Sequence, residues 1–227
     1  MKKTILTLAV LGAIASQGFS QGWVNFSAGT SASTRISTNA AVGSATGAGL
    51  TAANATQLFY YALFASAANT AVGSTSAAIS GANANYVVKN LTGWSFVGYA
   101  TNGAAGRVVS FGPNSDNSYS VAGIAGGATA QFVLLGWSAN VGATTADITT
   151  WINGNYASAQ GWIGQSAVSG ALALGDGSLN ITPAVFGGGT GQLGGFVLGL
   201  TPPVPEPGTL ALAALGFGSL LALRRKK

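Results

Sequence analysis

The sequence predicts an all-β protein: a single β-sandwich-like domain of short strands, preceded by a signal peptide and followed by a short transmembrane helix. Three observations point there. Aromatic and β-branched runs recur at short intervals between turn signals rich in glycine and asparagine, the pattern of short strands joined by tight connections. No long segment carries an amphipathic helical period. Charge is scarce and gathered at the two ends: 6% of the 227 residues are charged and 48% are hydrophobic, where about a quarter charged is usual for a soluble domain.

The first element is residues 1–20. Lys2 and Lys3 open it, an apolar core runs over 5–15, and small and polar residues close it, which is the three-part order of a secretory signal. Export follows, with signal peptidase as the first partner. Cleavage after Ala15 would use Ala13 and Ala15 as the small pair, and cleavage after Ser20 would use Gly18 and Ser20. The second leaves a normal polar region behind the apolar core, so the boundary is set between Ser20 and Gln21.

The body, residues 21–201, is dominated by Gly, Ala, Ser, Thr and Asn. Strands are expected over 23–27, 57–65, 86–88, 94–100, 107–111, 119–124, 129–137, 161–168 and 196–200. Turn signals separate them, among them Asn102-Gly103, Pro113-Asn114, Gly126-Gly127, Asn153-Gly154 and Asp176-Gly177. Residues 147–152 read as one short helical turn capped by Asp147. There is no fixed repeat period, which disfavours a solenoid, and one domain accommodates this length. Low charge and β-rich runs such as 57–65 also favour strand addition between chains.

The chemistry available to the body is narrow. Arg35, Lys89 and Arg107 balance Asp116, Asp147 and Asp176, so the whole formal charge of +5 comes from the ends. Nucleic-acid binding is excluded, because phosphate recognition needs a basic patch on the folded body. Cysteine and histidine are absent, which removes disulfides, thiolate and imidazole metal sites, and nucleophiles activated by histidine. No cofactor, metal or catalytic residue is expected, and the protein reads as a non-enzyme.

Three features invite a sharper reading. Gly189-Thr190-Gly191-Gln192-Leu193-Gly194 matches the dinucleotide fingerprint in letters, but residues 195–198 read as a strand, and the fingerprint needs a helix there to receive the pyrophosphate. Asp116, Asp147 and Asp176 sit in turn or cap settings, whereas a glycosidase needs two carboxylates facing across a cleft. Calcium at Asp116 with Asn114 and Asn117 would have one carboxylate where such sites gather several oxygens. Trp23, Trp94, Trp137, Trp151 and Trp162 are expected to fill the core among many small side chains, with sugar stacking as the alternative. The sequons at Asn90 and Asn180 carry little meaning in a bacterial host.

The last element is residues 202–227. Val204-Pro205-Glu206-Pro207-Gly208 is a stiff, extended linker, since proline continues neither a strand ladder nor a helix interior. Residues 209–223 carry no charge and are rich in Leu and Ala, both good helix formers. At about 1.5 Å per residue this run covers roughly 22 Å, short of the ~30 Å hydrocarbon core. Snorkelling of Arg224 and Arg225, or local thinning, makes up the difference. Arg224, Arg225, Lys226 and Lys227 should stay cytoplasmic, leaving the body outside, and the N-terminal lysines give the same topology.

In this order of parts the tail resembles the PEP-CTERM sorting signal of Gram-negative bacteria. Pro205, Glu206 and Pro207 match its recognition motif, and the apolar run and basic end match the rest. The resemblance implies processing near the motif by an exosortase-type sorting protease, and release or transfer of the body from an inner-membrane-anchored precursor to the cell surface. Together these readings give a surface-sorted, non-enzymatic domain with a structural or extracellular-matrix-associated role, as in a biofilm matrix; its partners are the two proteases, membrane lipid and an exopolysaccharide. The alternative is a carbohydrate-binding surface module.

Overall fold

A computed structural model describes residues 21–28, 31–38, 58–68, 86–103, 106–176, 182–201 and 215–217. Strands are β1 (Gln21–Val24), β2 (Ser37–Thr38), β3 (Phe59–Ala67), β4 (Ser95–Asn102), β5 (Val108–Ser110), β6 (Tyr119–Ala125), β7 (Thr129–Ser138), β8 (Trp162–Gln165), β9 (Leu172–Ala173) and β10 (Val197–Leu200). The helix α1 (Thr145–Asn153) joins β7 to β8. The protein is mostly β, as its composition predicts.

An eight-stranded sheet runs β2-β10-β8-β7-β3-β4-β5, with β9 also paired to β7, and β1 and β6 form a separate two-stranded sheet. The centre is the antiparallel pair β3–β7, in unbroken register from Phe59 opposite Ser138 to Ala67 opposite Ala130. Both strands are almost wholly buried. Alternation sends Tyr61, Leu63, Ala65, Phe132 and Leu134 to one face and Ala62, Phe64, Val133, Leu135 and Trp137 to the other, and each face has its own apolar cluster. The first face is covered by Val24, Phe26 and Val121 from the two-stranded sheet and its flank. Ile148, Trp151 and Ile152 of α1 cover the second. Register slips at Leu63/Phe64 opposite β4, a bulge that leaves Val97 without a partner and increases local twist. The sheet curls until its ends approach: Ile36, just before β2, donates to the Gly106 carbonyl at 2.9 Å, and Ala28 donates to Val108 at 2.8 Å.

Several expectations are corrected. Residues 86–88 are not a strand; Val87–Lys89 is a 3₁₀ turn. Lys89 donates to Tyr86 and Asn90 to Val87, while Val87 donates to Gln165 Oε1. Asp147 is not the helix cap. Thr144 is, and Asp147 at the third helical position completes a capping box. Within the run 57–65, β3 is no edge available to another chain, since it is paired on both sides. β2 and β9, two residues each, went unforeseen. The Gly126-Gly127 turn between β6 and β7 is as expected: Ala128 donates to Ala125 at 3.1 Å, and Gly127 takes a φ of 76°, a conformation glycine adopts without a Cβ penalty.

Candidate functional site

The end of β10 is held tightly. Thr201, directly after β10, is 1% exposed. Its N–H donates to the Gly161 carbonyl at 2.9 Å. Its hydroxyl donates to the same carbonyl at 3.0 Å and accepts from the Gly161 N–H at 3.0 Å. Gln160 Nε2 donates to the Thr201 carbonyl at 2.9 Å. Gly161 permits this approach because a Cβ there would meet Val141 Cγ1 at 2.5 Å and Ser138 Oγ at 3.1 Å. Thr201 therefore has a fixed place on the sheet, beside the start of β8. Nothing in the sequence marks Thr201, because its partners lie about forty residues away.

The carboxylates do structural work. Asp147 Oδ2 accepts from the Ala143 N–H at 3.0 Å, the Thr144 N–H at 3.0 Å and the Thr144 hydroxyl at 2.8 Å. The bonds from Thr144, and then that from Ala143, hold its carboxyl below the ordinary carboxylate value. Asp116 Oδ1 accepts from the Ser118 N–H at 3.0 Å and Oδ2 from the Thr182 hydroxyl at 2.7 Å, and these two partners lower it as well. Asp176 is exposed beside the segment following β9. Among the described residues no three His, Cys, Asp or Glu gather as a metal would require.

The five tryptophans divide. Trp94, Trp137 and Trp151 are buried; Trp137 Nε1 donates to the Gly142 carbonyl at 2.9 Å and Trp151 Nε1 to Ala159 at 2.8 Å. Trp23 and Trp162 are half-buried, so the five form no single stacking strip. The glycine-rich loop at 189–194 folds on its own glutamine: Gln192 Oε1 accepts from the Gly189 N–H at 2.8 Å, and β10 follows. That is a loop leading to a strand, without the helix a dinucleotide needs.

Of the site residues expected from sequence, Gln21 is exposed and opens β1. Ser20, Pro205, Glu206, Pro207, Arg224, Arg225, Lys226 and Lys227 lie outside the described residues. So does most of the apolar run 209–223; its residues 215–217 are helical, with Leu215 and Phe217 each 71% exposed. Among the described residues no helix is long and apolar enough to cross a membrane.

A family model for the PEP-CTERM protein-sorting motif matches residues 203–226. No curated protein matches the chain, and no solved structure does. The chain thus carries at its C-terminus the motif of a protein exported across a membrane, sorted to the cell surface and targeted by exosortase, a membrane protease.

Proposed function

We propose that this chain is a precursor anchored in the inner membrane by residues 209–223, and that processing at Pro205, Glu206 and Pro207 delivers a non-enzymatic body with a structural or extracellular-matrix role. The observation that carries the reading is the sorting motif that begins at residue 203, directly beyond the hydrogen-bonded Thr201. A folded body that ends firmly, followed at once by the processing motif, suits a protein made to be separated from its tail. Its neutral charge balance and small polar side chains suit a matrix component better than a receptor for charged ligands.

Mass spectrometry of the protein from wild-type cells and from cells lacking the sorting protease tests this. The expected result is a mature N-terminus at Gln21 in both. In wild-type cells the C-terminus should fall near Pro205 to Pro207, and in the deficient strain the full tail should remain in the membrane fraction. An identical, unprocessed C-terminus in both strains rejects the proposal.

The half-buried rings of Trp23 and Trp162 favour a second reading, a carbohydrate-binding surface module that takes an exopolysaccharide. Isothermal titration against a broad panel of such polymers tests it. Heat lost in Trp23→Ala or Trp162→Ala supports it, and no heat with any polymer removes it.

A further inference from the structure

We infer that the rim of the body made by Trp162 and Leu200 lies against the lipid headgroups while the tail is in place. This rests on the proposed insertion of residues 209–223. The exit point is fixed at Thr201 by its bonds to Gly161 and Gln160. From Thr201 to Thr209 there are eight residue steps, and a chain covers at most about 3.6 Å per residue, so the exit lies within roughly 29 Å of the start of the apolar run. The end of the body that carries Thr201 is then tethered within that distance of the membrane.

What that end presents suits an interface with lipid. Leu200 and Trp162 are directly opposite each other on β10 and β8, so their side chains share a face. Leu200 is 37% exposed, and Trp162 is half-buried, one part of its ring packed against the first apolar cluster. Leu58, 41% exposed, lies at the same end, its carbonyl accepting from Ala139 just past β7. Beside the exit are uncharged amides: Asn140 Nδ2 donates to the Gln160 carbonyl at 2.8 Å. An indole next to an aliphatic side chain, with uncharged polar neighbours, is the combination that settles at headgroup level. Residues 202–227 contain no tryptophan, so indole signals report on the body alone.

The test uses the full-length chain in phosphatidylcholine vesicles brominated near the headgroups. Co-sedimentation is read first and tryptophan fluorescence second. Quenching is expected in the wild type, largely abolished in Trp162→Phe and retained in Trp23→Phe; Leu200→Gln should weaken it with the circular dichroism unchanged. A chain that sediments with vesicles but is quenched equally with and without Trp162 overturns the inference and leaves the insertion standing. A chain that does not sediment removes the insertion, and this inference with it.

Discussion

Thr201 acts through both its backbone and its hydroxyl, and substitution separates the two. Thr201→Val keeps the shape and the backbone bond to Gly161 but leaves the buried Gly161 N–H without its acceptor. A buried donor left unsatisfied costs about 1–3 kcal/mol, so the urea midpoint should fall with the slope unchanged, while Thr201→Ser stays close to wild type. An unaltered midpoint in the valine variant would mean the clamp contributes nothing. Asp147 gives a second residue-level prediction, in pH. Its carboxyl is held low chiefly by the bond with Thr144. A depressed acid stabilises the fold above its unfolded value and loses that contribution as pH falls through the folded value. Wild type should therefore shed this stability below about pH 4, and Asp147→Asn should show a flatter decline there. Thermal melts of both proteins across the acid range measure the difference. Thr144→Ala removes the cap itself and should cost about 0.5–2 kcal/mol.

At the scale of elements, what was legible in the sequence follows from where each strand sits. β3 and β7 could be read within two residues at either end, because a strand buried on both faces is a dense run of aromatic and aliphatic residues. Residues 86–88 carry the same texture, Tyr-Val-Val, yet form a turn; Gln165 supplies the acceptor that a ladder would have supplied, and nothing local announces that. β2 is only Ser37 and Thr38, held by parallel pairing with β10, so no periodicity exists to detect. The cap of α1 lies three residues before Asp147, since Thr144 and Asp147 are both good capping residues and only the reciprocal bonds assign their roles. The fixed junction at Thr201 was invisible, whereas the tail beyond it was plain from its order of prolines, apolar run and basic end. The helix-facing side of the sheet also yields a prediction. Trp137 is fully buried there, with an edge-on contact to Tyr99 at 6.4 Å. Trp137→Ala should cost about 3–5 kcal/mol. Trp162→Phe, at the part-buried rim against the first apolar cluster, should cost only about 1 kcal/mol. Equal losses in denaturant melts would contradict the division of the tryptophans into core and rim.

At the scale of the whole molecule, association depends on which chain segments a folded body leaves for others to bind. Low charge and strong β-formers make strand addition between chains plausible from sequence alone. The fold places those formers inside: β3 pairs with β4 and β7, and both of its faces are buried. The terminal strand β5 is also occupied on its outer side, where Ala28 donates to Val108 and Ser110 donates to Ser27 Oγ at 3.2 Å. The arginine and lysine side chains of the body are matched in number by its aspartates, so no net field draws it to a polyanion. Body recovered after processing should therefore run as a monomer in light scattering across a wide concentration range. It should also elute from immobilised DNA at the lowest salt tested. Concentration-dependent growth with new β signal would show that an edge remains open, and retention on DNA to higher salt would show that the few basic side chains gather on one face.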